Sequence, residues 1–430
     1  MTATTAGPAA PATHTDLRAP VAWQCPVVYG VLGLVTLLGF GLFSGTGGKQ
    51  TVFSFSSGRD FFHVPDLTVS AWGTSVGAGI VLLMMAAAAA WLATRREKPG
   101  LWFPVVFGVL FLFAFLTWAG ADTGRIPLTP LLAGALALSV PLIFGAMGGL
   151  IGERSGIVNI AIEGQLLAGA FLAAVVASAL KNPYAGLVAA PIAGALVAVL
   201  LTFFAIRYWV DQIIIGVVLN VLVVGVTNFL FSTVLTANPE TWNARQTLPS
   251  LPIPLLADIP VVGPVFFNQT ILVYLMYLAV AVIHVLLFHS RWGLRTRAIG
   301  EHPKAADTVG INVNRSRVVN TLIAGGIAGL GGAFFTIGSG LAFGKEMSAG
   351  QGYIALAAMI LGKWSPVGAV CAALLFGFAR NLGNTLSTMG TPVPSDLLLM
   401  LPYIVTIFAV AGFVGRVRPP AAAGKPYSAQ

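Results

Sequence analysis

The chain has 430 residues, of which 57% are hydrophobic and only 9% charged. Soluble domains carry about 25% charged residues, so this balance excludes an ordinary water-soluble enzyme or binding module. The formal charge of +9 does not point to nucleic acid, because the basic residues sit in short loops between apolar runs, where Lys and Arg orient membrane spans.

Residues 1–25 begin with a stretch rich in Ala, Thr and Pro and are expected to form a disordered cytoplasmic tail. They lack the basic start, apolar stretch and cleavage site of a secretory signal, so the first membrane segment is expected to be retained. Apolar runs then follow at 26–43, 73–94, 101–119, 128–148, 157–180, 185–206, 212–236, 271–289, 318–340, 353–364, 366–386 and 396–414. Most approach the roughly 20 residues a helix needs to cross the hydrocarbon core. Backbone groups cannot be satisfied by water there, so helices are the economical solution. The predicted fold is all-α, a polytopic transmembrane helix bundle of about 10–12 apolar segments with interrupted helices. The 50 glycines suit close helix approach in lipid. Cys25 and Cys371 are far apart in sequence and imply neither a disulfide framework nor a metal site.

Arg95, Arg96 and Lys98 place the end of the second run in the cytoplasm, and Arg207, the cluster from Arg291 to Arg317, and Arg416 with Arg418 share that side. Alternate crossings from an internal N-terminus satisfy all of these. The run at 353–364 is too short to cross and reads as a half-helix turning back at Gly362–Pro366. Residues 44–72 look like an added hairpin tip, and the proline-rich stretch 237–270 is either a surface cover or a dock for an external partner.

The first polar segment is Gly152-Glu153-Arg154-Ser155-Gly156-Ile157-Val158-Asn159-Ile160-Ala161-Ile162-Glu163-Gly164-Gln165. Read as one helix, it places Ser155, Asn159 and Glu163 on one polar stripe. Gly148, Gly152 and Gly156 make a small stripe beside it. A carboxylate inside an apolar run costs about 2.5–3.5 kcal/mol on insertion scales, so Glu163 must face a cavity or a partner. Two readings stand: a pathway or hinge residue, with Asn159 and Gln165 nearby, or a helix-end Glu satisfied by local backbone donors or by Arg154. Asn220, Asn228, Asn381 and Asn384 lie within apolar runs, where they either bridge helices or line a path. His284 and His289 stand without partners and receive no role.

The second segment runs from Arg291 to Asn312. Over 291–317 there are six basic and two acidic residues, a net of +4. Pro303 suits a helix start and Gly310 its end, which predicts a short helix of about two turns on a cytoplasmic loop. Such a loop is either an orientation and lipid-contact signal or, with Ala305 and Ala306 on a compact helix, a knob for a partner's groove.

The pairing of GERSGIVNIAIEGQ with the text from Leu294 to Asn312 resembles permease subunits of ATP-binding-cassette importers, in the branch that takes up nucleosides and is related to ribose and branched-chain amino-acid permeases. The resemblance covers about residues 128–415 and implies additional N-terminal spans at 26–125, a permease core at 126–415 and a short C-terminal tail at 416–430. It implies that residues 291–317 are the coupling loop, with Lys304-Ala305-Ala306 and Gly310 in the register of the family's EAA-x-x-x-G motif, Glu301 before it and Asp307 within it. Lys304 stands where the general motif has Glu, and the Leu-Pro pair that often follows is missing. The resemblance further implies a cytoplasmic ATPase, a second permease subunit in a heterodimer, an extracytoplasmic solute-binding protein and a bacterial plasma membrane. It implies no cofactor on this chain, with ATP used by the partner. The sequence has no GxxxxGK[ST] phosphate loop of its own. Simple sugars or a flavin-like solute are the alternative cargoes; an ion-coupled secondary transporter is the alternative mechanism. No paired-acid or metal motif of a membrane enzyme is present, so the chain is not expected to be catalytic.

The third segment is Gly350-Gln351-Gly352-Tyr353 through Pro366. Gly350 and Gly352 permit an unusual backbone, and the half-helix would present free N–H groups to a polar solute. Gln351 and Tyr353 are expected to contact it. Lys363 is expected to be buried and either pairs with Glu163 or snorkels with Trp364 at an interface. A weak internal repeat relates GIVNIAIEGQLLAGAF and NPYAGLVAAPIAGAL to GQGYIALAAMILG and SPVGAVCAALLFG. Interrupted helices at matching places in two halves point to a transporter's solute site, so Asn159, Glu163, Gln165, Asn220, Gln351, Tyr353 and Lys363 are the candidate pathway residues.

Overall fold

A computed structural model describes residues 23–56, 60–97, 99–100, 102–390, 397, 400 and 418–428. The N-terminal residues 1–22 and nearly all of the apolar run at 396–414 lie outside the described residues. The chain divides into two compact units, residues 1–48 with 70–118, and residues 49–69 with 119–430.

The first unit holds α1 (Gln24–Leu34, continued by a π-helical stretch to Leu42), α2 (Ala71–Thr94) and α3 (Trp102–Ala119, whose last residue falls in the second unit). Their hydropathy is uniform around the helix, as expected of spans facing lipid on several sides. Tyr29 sits between Phe103 and Phe107, and Phe40 stacks on Trp118 with ring centroids 4.9 Å apart.

The second unit begins with β1 (Gln50–Ser54) and β2 (Leu67–Ser70, whose last residue falls in the first unit); β1 also pairs in parallel with β3 (Arg125–Pro127). Residues 44–72 are therefore the start of a small sheet more than a hairpin tip. Then come α4 (Leu128–Arg154), α5 (Ile162–Ala179), α6 (Pro183–Thr202, with a π-helical stretch to Arg207), α7 (Gln212–Leu230, likewise continued to Leu235) and the single turn α8 (Pro239–Trp242). The outer stretch is closed by the hairpin of β4 (Ser250–Pro252) and β5 (Asn268–Thr270). It is followed by α9 (Ile271–His289), α10 (Arg291–Glu301), α11 (Pro303–Thr308), α12 (Val313–Gly332), α13 (Gln351–Leu361) and α14 (Pro366–Thr388). Ten helices among the described residues are long and apolar enough to cross a membrane, which makes this a multi-pass helical membrane protein.

Local chemistry sets the helix starts. Asn182 caps Tyr184 N ahead of Pro183, and Asp211 accepts from Ile213 N and Ile214 N. Ser290 accepts from Gly293 N and Asn312 from Arg315 N.

The most apolar stretch of α4 is 72% buried against 28% for those of α7 and α9, so α4 is the axis of the core and α7 and α9 its rim. The packing is reciprocal. α4 lies on α14 and α13, while α12 lies on α6 and α5, and α4 meets α12 between them. Arg317, early in α12, bonds Ser155 at the end of α4, so these two helices run in opposite directions. Two three-helix sets, α4–α5–α6 and α12–α13–α14, are thus arranged as an inverted pair around a shared centre. The α6–α12 seam is backbone on backbone: a Cβ on Gly325 would lie 2.5 Å from Gly194 O, and one on Gly329 2.5 Å from Ala190 O.

Candidate functional site

Both sets are interrupted at matching places. α4 stops at Arg154 and α5 starts at Ile162, so Ser155, Asn159 and Glu163 do not share one helical stripe. The expected continuous helix fails because Gly156 turns the chain with φ +93°, a conformation that L side chains avoid. In the other set, α12 and a following 3-10 turn end at Phe335 and α13 begins only at Gln351, after Gly350 with φ +78°.

The break at 155–161 is stitched by buried polar side chains. Asn159 Nδ2 donates to Gln165 Oε1 at 2.9 Å, and Gln165 Nε2 returns a bond to Asn159 Oδ1 at 3.3 Å. Gln212 Oε1 accepts from Val158 N at 2.7 Å. Asn220, on α7, accepts from Gly164 N at 2.8 Å and donates to Ile160 O and to Tyr353 Oη at 2.9 and 3.0 Å. Side-chain amides thus take up Val158 N, Ile160 O and Gly164 N around the break, as an apolar interior requires of exposed backbone groups.

Glu163 crosses from this break to the other. Its Oε1 accepts from Ser348 Oγ at 2.6 Å and Gly350 N at 2.8 Å, and its Oε2 accepts from Gly352 N at 2.6 Å. The N–H groups expected to be free for a solute at the start of α13 are thus occupied by this carboxylate. The reason is electrostatic: a helix N-terminus carries positive potential, and charge-assisted bonds from backbone N–H groups are strong. Gly352 makes the approach possible, since a Cβ there would lie 2.4 Å from Glu163 N.

Lys363 is not Glu163's partner. Glu163 caps the first turn of α13, whereas Lys363 follows its last residue; the 11 residues between rise about 16 Å. Lys363 is exposed, not buried. Trp364 does not snorkel: it is 5% exposed, and its Nε1 donates to Glu153 Oε2 at 2.6 Å. Arg154 donates through Nη2 and Nε to Trp364 O at 2.8 and 3.2 Å. Lys363 and Trp364 both have positive φ, at 55° and 51°, which costs about 1–2 kcal/mol per residue. Glu153 and Arg154 hold that strained turn in place. Glu153 received no role from sequence, and Arg154, expected as an alternative partner of Glu163, bonds Trp364 O instead, although two adjacent charges closing an apolar run were a visible signal.

Gln351 and Tyr353, at the start of α13, remain of the expected solute contacts. Gln351 is 4% exposed, and its Oε1 lacks a hydrogen-bond partner among the described residues. A buried amide oxygen left in this way is costly unless something polar reaches it. Tyr353 is 47% exposed, with its hydroxyl fixed by Asn220. Asn381 bonds Leu131 O and so bridges α14 to α4; Asn228 bonds Glu346.

The basic segment is two helices. α10 was not anticipated; its Trp292 Nε1 donates to Asn320 Oδ1, and Asn320 Nδ2 donates to Thr296 Oγ1, both at 3.1 Å. α11 covers six residues and is closed by Gly310, with φ +83°. Ala306 is not on the knob. It is 3% exposed and packs with Ile299, Val313 and Tyr427. Lys304, Ala305, Thr308 and Val309 form the outward face instead. Arg317, counted from sequence with the basic loop, belongs to α12 and is buried, bonding Ser155 O and Lys425 O. Asp307 accepts from Tyr427 Oη at 2.7 Å, which raises the phenol's pKa and keeps it protonated. No group of three metal-ligating side chains occurs among the described residues.

Residues 131–410 match the family model described as branched-chain amino acid transport system / permease component. The chain is 40% identical over 306 residues to the guanosine ABC transporter permease protein NupQ of Bacillus subtilis, covering 68% of this chain and 94% of that one. It is 36% identical over 307 residues to the nucleoside ABC transporter permease protein NupC of Lactococcus lactis, covering 69% and 96%. Against the putative glucose ABC transporter permease protein TsgC13 of Haloferax volcanii it is 33% identical over 252 residues, covering 59% and 76%. No solved structure matches.

Proposed function

Because the chain belongs to the family of branched-chain amino acid transport system permease components, we propose that it forms one half of the membrane pathway of an ATP-driven nucleoside importer in a bacterial plasma membrane. The observation that carries this reading is the junction of the two interrupted helices. There, a buried, unpartnered Gln351 amide oxygen and a half-exposed Tyr353 lie beside a fully satisfied network of Asn159, Glu163, Gln165 and Asn220. A nucleoside brings N–H and hydroxyl donors for an amide oxygen and a flat base for an aromatic ring. Cargo identity is supported by NupQ and NupC, whose names specify guanosine and nucleosides.

In this reading Glu163 is a structural lock that seats α13 against α5, and Gln351 with Tyr353 meets the solute. The basic end of the bundle is cytoplasmic. α10 and α11 form the coupling surface, presenting Lys304, Ala305 and Val309 to a partner ATPase, while Glu301, Ala306, Asp307 and Gly310 hold the surface to the bundle. The chain itself hydrolyses nothing. A different permease subunit completes the pathway as a heterodimer, and an extracytoplasmic binding protein delivers the solute.

A simple sugar is the second reading, favoured by the 33% identity to TsgC13. Uptake of labelled guanosine and uridine in a deletion strain complemented with this chain separates the two. Unlabelled nucleosides should compete and ribose or glucose should not. Competition by glucose alone would transfer the assignment to sugars.

A further inference from the structure

The C-terminal residues 418–428 lie beyond the stretch matched by the family model and have no long helix or strand of their own. Terminal segments of this kind are ordered only when something ties them down. Here five hydrogen bonds do so, and they reach two different parts of the bundle. On one side, Ala422 N donates to Gly300 O at 2.8 Å, Ala421 N to Glu301 Oε2 at 3.3 Å and Tyr427 Oη to Asp307 Oδ2 at 2.7 Å. These are the end of α10 and the end of α11. On the other side, Gly424 N donates to Gly156 O at 3.2 Å, and Lys425 O accepts from Arg317 Nη1 at 2.9 Å. Gly156 is the turning residue of the 155–161 break, and Arg317 packs directly on it, with Nη2 where a Cβ would stand 2.6 Å away. The ring of Tyr427 completes the apolar cluster under Ala306.

We propose that this segment is a strut between the coupling helices and the 155–161 break, setting how much transport each hydrolysed ATP yields. The inference rests on the assignment of α10 and α11 as the coupling surface. A displacement applied to the outward face of α11 reaches Asp307 and Glu301, passes through the eight residues 420–427, and arrives at Gly156. From there the chain leads to Asn159 and Glu163. Without the strut, α10 stays attached through Trp292, Asn320 and the Gly300–Arg154 backbone contact, so the helices would still engage a partner but move the break less.

The test uses the complete transporter in proteoliposomes, with its ATPase, second permease and binding protein. The variants are a truncation after Pro420, Tyr427→Phe and Gly424→Ala, the last placing a Cβ at φ +76°. Labelled guanosine and uridine imported are counted per ATP hydrolysed. The truncation should lower this ratio about fivefold or more, at the lower edge of typical coupling free energies, while ATP hydrolysis per assembled complex stays near wild type. Tyr427→Phe should lower the ratio about threefold, the modest effect of one lost hydrogen bond, and decides the matter if the truncated chain fails to assemble. An unchanged ratio, or uptake and hydrolysis falling in parallel, overturns the strut. Ala305→Arg is the reference arm. If it leaves binding-protein-stimulated hydrolysis intact, the coupling assignment itself is wrong; if it abolishes stimulation while tail variants keep the full ratio, only the strut is rejected.

Discussion

Replacing Glu163 by Gln asks how much the carboxylate lock contributes. The amide keeps size and shape, and its single oxygen can still accept from Ser348 Oγ and Gly350 N. Its NH2 group, however, points at Gly352 N, donor against donor, where Glu163 Oε2 now accepts at 2.6 Å. One hydrogen bond to a charged group is lost, about 1.5–3 kcal/mol. The favourable placement of a negative charge at the start of α13 disappears with it, another 0.3–1 kcal/mol or so. Against this, a neutral side chain no longer has to be taken into the apolar interior as an ion, a relief of about 2.5–3.5 kcal/mol in an isolated span. Most of that relief is absent here, because the charge is already bonded three times. The net loss is about 2 kcal/mol in the seating of α13, roughly a thirtyfold shift between seated and unseated forms. Uptake of labelled nucleoside, normalised to inserted protein, should therefore fall at least tenfold, and the purified complex should unfold at lower temperature. Glu163→Ala, which orphans all three donors, should be worse. If Glu163→Gln transports and melts like wild type, the carboxylate is not what holds the two interrupted helices together.

Four further substitutions probe other joints. Gly325→Leu puts a side chain where a Cβ already meets Gly194 O at 2.5 Å; it should force α6 from α12 and abolish assembly, seen as loss of the complex in size-exclusion chromatography. Ala305→Arg, on the exposed face of α11, should leave insertion and thermal stability unchanged but remove ATPase stimulation, whereas Ala306→Asp, inside the Ile299–Val313–Tyr427 cluster, should lower stability by about 2–4 kcal/mol in a thermal melt. Trp364→Phe deletes the 2.6 Å bond to Glu153 and leaves a buried carboxylate without that donor. A loss of about 1–3 kcal/mol should follow, read as a lower melting temperature.

The helices were legible in the sequence because their signal is long and uniform: the run expected at 271–289 forms at Ile271–His289, and that at 212–236 at Gln212–Leu235. The half-helix, expected at 353–364 and found at Gln351–Leu361, was legible because Gly350 and Pro366 bound it. What could not be read was which polar groups meet across the fold. Glu163 and Gly352 are 189 positions apart, and Trp364 and Glu153 211; nothing in either local sequence names the other. Expecting Ser155, Asn159 and Glu163 on one stripe failed through Gly156, whose positive φ ends a helix that the surrounding apolar residues would have continued. Ala306 was misplaced because a six-residue helix shows no hydrophobic period from which its inner face could be told. The tail's role was invisible for the same reason as the Glu163 lock: its partners Gly156, Gly300 and Asp307 come together only in the folded chain.

Energy supply decides whether this chain serves an ATP-driven importer. Proteoliposomes holding this chain with its partner permease and ATPase, and with binding protein loaded with guanosine outside, should accumulate guanosine against its gradient only when ATP is inside. Accumulation without ATP, driven by a proton or sodium gradient alone, would contradict it.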